Sequence, residues 1–155
     1  MKYTLLILAF AFLISCDSDT KVEEPIDYTA QNEEEITAYI TANNLEAERS
    51  ETGLYYVVEE AGTGIQPSAS SNVTVAYKGY FTNGSVFDQS DSEGLSFPLN
   101  GVIPGWTEGI PYFKEGGKGI LLVPSHLAYG PYDYRGIPGG SVLIFDVELI
   151  SVNQD

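Results

Sequence analysis

The stretch VTVAYKGYFTNGSVFDQS, residues 73–90, constrains the fold most, because Asn83-Gly84 stands between two runs rich in branched and aromatic residues. Asn-Gly between such runs signals a hairpin, since a two-residue type I′ turn holds both central residues at positive φ. The spacing therefore predicts two antiparallel strands, with Val73, Val75, Tyr77 and Gly79 on one face. Residues 54–58 read as an earlier strand, ended by Ala61-Gly62-Thr63-Gly64, and residues 118–123 as a later one after Gly116-Gly117. Residues 141–152 read as a long final strand in which Leu143, Phe145, Val147 and Leu149 alternate with Val142, Ile144, Asp146, Glu148 and Ile150. Residues 104–110 read as a short helix, with Trp106 and Ile110 on one face. No repeat and no strand-helix-strand rhythm is present. The expectation is an α+β fold, an antiparallel half-barrel of about five strands wrapped around one short helix.

Residues 1–16 have another character. Met1-Lys2 is a positive start, residues 3–14 are almost unbroken apolar sequence, and Leu13-Ile14-Ser15-Cys16 closes the run at the only cysteine. A membrane-crossing helix needs about 20 apolar residues, so residues 1–15 read as a signal peptide. LISC resembles a bacterial lipobox, which implies lipidation of Cys16 by a thioether-linked diacylglycerol and an acyl chain on its new amino group. Each buried methylene adds about 0.8 kcal/mol, so several chains anchor stably where one is marginal. The other reading is an ordinary secretory signal with Cys16 incidental. Residues 16–31, with Asp17, Asp19, Glu23, Glu24 and Asp27, read as an acidic flexible tether. The expected location is the envelope of a Gram-negative-type bacterium, lipid-anchored at the outer membrane on its periplasmic or surface face.

Residues 32–50 read as a helical extension. Asn32 is its expected cap, Glu33, Glu34 and Glu35 stand at the positive end of the dipole, and Ile36, Tyr39, Ile40 and Asn43 share a face. So short a helix is expected to pack against the domain of residues 51–155 rather than to form a dimer.

The 22 acidic and 7 basic residues give a net charge of −15, which repels phosphate backbones and excludes nucleic acid as a partner. There is no glycine-rich phosphate loop, no serine matched with histidine and acid, and no histidine-cysteine cluster. His126, the single histidine, reads as an exposed loop residue. Neither a metal nor a cofactor is expected.

What remains is an apolar set, Tyr77, Phe87, Val102, Ile103 and Trp106, with one carboxylate, Asp88: a pocket with a single polar handle. Together with LSFPLNGVIPGW (residues 95–106), LLVPSHLAYG (121–130) and GGSVLIFDVELISV (139–152), these motifs resemble the FK506-binding (FKBP) type of peptidyl-prolyl isomerase. The resemblance implies an FKBP-like half-barrel that rotates the bond before proline in polypeptides and binds FK506-like inhibitors. It implies Trp106 as the floor under the prolyl ring, with Tyr77, Phe87, Phe97, Val102, Ile103 and Phe145 as walls. Asp88 would lie beside the substrate carbonyl. The Tyr129 hydroxyl and the Ile103 N–H would hold flanking carbonyls, and Ile137 would line the overhanging loop.

Residues 89–94, QSDSEG, lack the arginine that in the family often steadies the aspartate. Leu95 replaces an aromatic wall, Gly136 replaces an aliphatic contact, and Arg135 is the candidate substitute cation. The leading expectation is a lipid-anchored isomerase assisting exported proteins to fold. The alternatives are a proline-segment-binding chaperone or accessory lipoprotein of a secretion or motility system with weak or no turnover, and a structural surface lipoprotein.

Overall fold

The computed structural model describes residues 24–153. The expected signal peptide, Cys16 and the first part of the expected tether lie outside the described residues. The chain forms helix α1 (Thr29–Asn43) and strands β1 (Glu48–Arg49), β2 (Tyr55–Glu60), β3 (Asn72–Tyr80), β4 (Val86–Gln89) and β5 (Leu95–Pro98). Helix α2 (Pro104–Gly109) and strands β6 (Lys118–Val123) and β7 (Leu143–Asn153) follow. The strands make one antiparallel sheet in the order β1-β2-β6-β7-β3-β4, with β5 also on β3. The count of seven exceeds the expected five or so because β1 has two residues and because the outer neighbour of β3 is split. Strand β4 pairs at Lys78↔Gln89 and β5 at Val73↔Phe97.

Strand β7 buries Leu143, Phe145, Val147 and Leu149 and exposes Asp146 and Glu148, the alternation that a sheet covering a core requires. Thr74 faces Ser151 while Val75 faces Leu149, so Ile150 is an extra residue. This bulge reverses the parity and turns Val152 inward opposite Val73. Helix α2 lies close against the inner face because Gly109 has no Cβ; one there would meet Leu121 Cδ2 at 2.8 Å.

Helix α1 covers the other face, where Ile36 packs with Tyr55, Leu122, Val142 and Ile144. It begins at Thr29, inside the stretch expected to be tether; the N-cap residue Tyr28 makes no side-chain bond, and Asp27 Oδ1 accepts the Thr29 N–H at 2.9 Å. Asn32 is therefore not a cap. It is fully buried, with Nδ2 donating to Gly140 O and Oδ1 accepting from Ser125 N, each at 2.8 Å. The three glutamates fall in the second turn, beyond the positive end of the dipole, and two of them make tertiary bonds. Glu33 pairs with Arg49 at 3.1 Å and accepts the Tyr55 hydroxyl at 2.6 Å, and Glu35 accepts Thr82 Oγ1 at 2.5 Å. The Tyr55 bond, ahead of the Arg49 guanidinium, holds the Glu33 carboxyl below its usual range. Asn44 in the left-handed conformation and the bond from Leu45 N to Ile40 O at 3.0 Å close the helix.

The hairpin exists, but its turn is not the two-residue type expected. Gly84 N donates to Phe81 O at 2.8 Å and Phe81 N to Ser85 O at 3.0 Å, enclosing Thr82, Asn83 and Gly84. Gly84 (φ 85) is at positive φ and Asn83 is not. The Asn83 side chain instead accepts the Ser85 N–H at 2.9 Å. One glycine in the left-handed region suffices for a three-residue loop.

Candidate functional site

Pro104 opens α2 at the position where its missing N–H costs nothing, which sets Trp106 on the first turn facing the sheet. Trp106 is 5% exposed. Three rings surround it: Tyr77 at 5.0 Å and 86°, Phe145 at 5.1 Å and 83°, and Phe97 at 5.4 Å and 48°. Edge-to-face contacts of this kind fix ring orientation and add to area burial. Phe87 meets Phe145 at 5.6 Å and 90°. That contact needs Gly79, since a Cβ there would lie 2.7 Å from Phe87 Cζ and 2.9 Å from Phe145 Cε1.

These rings enclose a cavity of about 520 Å³, completed by Leu95, Val102, Ile103, Ala128, Tyr129 and Tyr134. Among the described residues, Asp88 is the only carboxylate that lines it. The Tyr77 hydroxyl donates to Asp88 Oδ2 at 2.7 Å. Burial first, and Asp88 second, push the Tyr77 phenol well above its ordinary value. The Trp106 indole N–H has no hydrogen-bond partner among the described residues. The floor thus carries one free donor and the mouth one acceptor-rich carboxylate.

Nine of the ten residues expected at the site line this cavity. Ile137 does not. Tyr134 and Ile137 exchange backbone bonds of 2.9 and 2.8 Å across Arg135 (φ 47) and Gly136 (φ 88). That tight turn sends Ile137 into the interior, where it lines an adjoining hollow of about 540 Å³ with Phe81, Val86 and Gly136. Phe87, Asp88, Tyr129 and Tyr134 form the partition common to both spaces.

Arg135 does not replace the missing arginine. Its guanidinium lies 5.3 Å from the Tyr134 ring centroid, and the ion pairs among the described residues are Arg49–Glu33 and Lys118–Glu60. Tyr134 is the one aromatic lining residue that the sequence reading did not assign. It stacks on Tyr129 at 4.5 Å and 11°, a contact inside an irregular loop that no periodicity announces. His126 is exposed, its Nε2 2.9 Å from Thr52 O.

An apolar recess of this size, closed by aromatic rings, accepts a small saturated ring and strips water from it. Among the described residues that line it there is no serine, threonine, cysteine, lysine or histidine.

The family model described as FKBP-type peptidyl-prolyl cis-trans isomerase matches residues 63–150. The FKBP-type peptidyl-prolyl cis-trans isomerase FkpA of Escherichia coli (strain K12) is 53% identical over 105 residues, which cover 66% of this chain and 39% of that protein. FkpA of Aeromonas hydrophila is 42% identical over 128 residues, covering 80% of this chain and 48% of that protein. The chain spans less than half the length of these curated relatives. The crystal structure of FkpA from Escherichia coli superposes with a TM-score of 0.72 at 46% identity, covering 81% of this chain and 61% of that one. A peptidyl-prolyl cis-trans isomerase from Pseudomonas syringae pv. tomato superposes with a TM-score of 0.70 at 30% identity, covering 84% and 99%.

Proposed function

The chain belongs to the family of FKBP-type peptidyl-prolyl cis-trans isomerases, and from that membership we propose that it catalyses rotation about X-Pro bonds in exported polypeptides. The observation that carries this reading is the Trp106 floor, ringed by Tyr77, Phe97 and Phe145, with Asp88 at the mouth.

The uncatalysed rotation crosses a barrier of about 18–20 kcal/mol because the amide loses its conjugation. At the twisted geometry the carbonyl is ketone-like and the nitrogen amine-like, a species less dependent on water than the planar amide. In the reading proposed here Trp106 holds the prolyl ring, and Phe87, Val102, Ile103 and Phe145 exclude water. Asp88 faces the rotating carbonyl, while the Tyr129 hydroxyl and the Ile103 N–H hold the flanking chain. Removing water from a bond that needs it least at the transition state lowers the barrier without covalent chemistry. An acceleration of four to six powers of ten requires about 5–8 kcal/mol.

The test follows cis-to-trans relaxation of a tetrapeptide with leucine or phenylalanine before proline, using the chain from residue 17 onward, with and without FK506. Acceleration abolished by FK506 supports the reading. A folded protein without acceleration overturns it. In that case the second reading stands, a module that holds proline-containing segments. The exposed apolar residues Leu95, Tyr129 and Tyr134 on the cavity and Val86 on the adjoining hollow favour that second reading, and suppression of client aggregation measures it.

We further propose that residues 1–15 are a lipoprotein signal and that Cys16 carries the lipid, placing the isomerase on a membrane of the cell envelope, the outer membrane by preference. The supporting observation is the Leu13-Ile14-Ser15-Cys16 sequence after an apolar run. Labelled palmitate should enter the wild type and not Cys16→Ser, and the variant should move to the soluble fraction; label in both would end the proposal.

A further inference from the structure

We propose that helix α1 is a clamp on the loop that forms the rim of the site, with Asn32 as its positioning residue; the functional half of this statement rests on the isomerase reading above. The loop comprises residues 124–142, between the paired strand ends Val123 and Leu143. It carries Tyr129 and Tyr134, the stacked pair on the cavity wall. A connection of this length whose regular structure is one 3₁₀ turn, Ser125–Leu127, is mobile unless something ties it down.

The ties are of two kinds. Inside the loop, Gly130 N donates to Ser125 O at 2.8 Å, Gly140 N to Gly130 O at 2.9 Å, and Gly139 N to Asp133 Oδ1 at 2.9 Å. These bonds set its shape and bring its two roots, Ser125 and Gly140, together. Asn32 then fastens both roots to α1, with Oδ1 taking the Ser125 N–H and Nδ2 giving to Gly140 O. Tyr28 seals the same spot, so close to Gly140 that a Cβ there would lie 2.4 Å from Tyr28 Cε1.

A helix that only packed would place an apolar side chain at this fully buried position. A buried amide costs stability unless its groups are bonded, and this one bonds to residues 93 and 108 positions away. The segment matched by the family, residues 63–150, contains the loop but not the clamp. The rim of the pocket is therefore held by a part of the chain outside the segment that defines the family. Trp106, Phe97 and Phe145 stand on regular structure, so loosening the clamp acts on the rim and on substrate capture.

The test uses Asn32→Ala and Tyr28→Ala in the full chain, with Leu149→Ala as a destabilised control far from the loop. Under conditions where each is folded, Asn32→Ala should lower kcat/KM about fivefold or more, chiefly through KM. Amide exchange at Gly130, Ile137 and Gly140 should quicken about tenfold while Leu121 and Phe145 keep their protection. Leu149→Ala should leave both unchanged. Equal kcat/KM and equal loop exchange in Asn32→Ala, or a uniform rise in exchange across the sheet, overturns the clamp. Should Asn32→Ala not fold, Tyr28→Ala, whose ring is partly exposed, carries the same comparison with a smaller effect. If the wild type shows no turnover the isomerase reading fails, and loop exchange alone then decides the clamp.

Discussion

The Tyr77 hydroxyl donates a 2.7 Å hydrogen bond to Asp88 Oδ2 across the mouth of the cavity. This bond joins neighbouring strands β3 and β4 and orients the one carboxylate of the site where no arginine does so. Tyr77→Phe is expected to change stability by no more than about 1 kcal/mol, since both groups are partly exposed, and to lower kcat/KM about three- to tenfold through loss of orientation. Asp88→Val should lower it further. Peptide relaxation assays measure both; a Tyr77→Phe enzyme with wild-type turnover would show that the bond orients nothing that matters.

Trp106 is the only tryptophan and forms the floor of the cavity, so its fluorescence reports occupancy. Titration with a proline-containing peptide or FK506 should change its emission saturably, and Trp106→Leu should weaken binding at least about tenfold, or about 1.4 kcal/mol. Calorimetry on the variant supplies the second number, and unchanged affinity would remove Trp106 from the site.

Gly79 leaves the space in which Phe87 and Phe145 meet. Gly79→Ala is expected to destabilise the protein by about 1–3 kcal/mol through overpacking and to impair peptide binding by pushing Phe87 into the cavity. A urea midpoint equal to that of the wild type would contradict it.

The phenols of Tyr55, Tyr56, Tyr77, Tyr80, Tyr112 and Tyr129 are all held above their ordinary value, in each case by burial first. Their unfolded counterparts lose protons near pH 10. Between that pH and the higher folded values the folded state binds more protons, so this stability is complete below about pH 10 and falls as pH rises above it. Phenolate absorbance should appear together with loss of circular dichroism. Six phenolates titrating near pH 10 in a folded protein would be the contrary result.

The strands and the aromatic pocket were legible in the sequence because alternation and ring placement are local signals: Val73, Val75 and Tyr77 declare a face of β3, and Leu143, Phe145 and Val147 declare the face of β7 that joins it in the core. The Ile150 bulge was not legible, since a change of parity depends on the partner strand and leaves no mark on β7 alone. Asn32 resembles a cap by its place before three glutamates, and its actual bonds reach residues that sequence distance hides. Ile137 was misplaced for a similar reason. Its direction is set by the reversal at Arg135-Gly136, where an arginine holds a conformation that favours glycine. Tyr134 joined the site through stacking on Tyr129, which required the whole loop to be in place.

Strand β7 is seventh along the chain yet lies between β6 and β3. A polypeptide emerging amino end first from a ribosome, or threaded through a narrow channel, cannot finish its sheet until residues 143–153 have arrived. Before then β3 lacks its longest neighbour, β6 lacks one side, and the Trp106 recess has no Phe145. Pairings between residues so distant in sequence form slowly and together. The sheet therefore closes late, when residues 143–153 insert between β6 and β3.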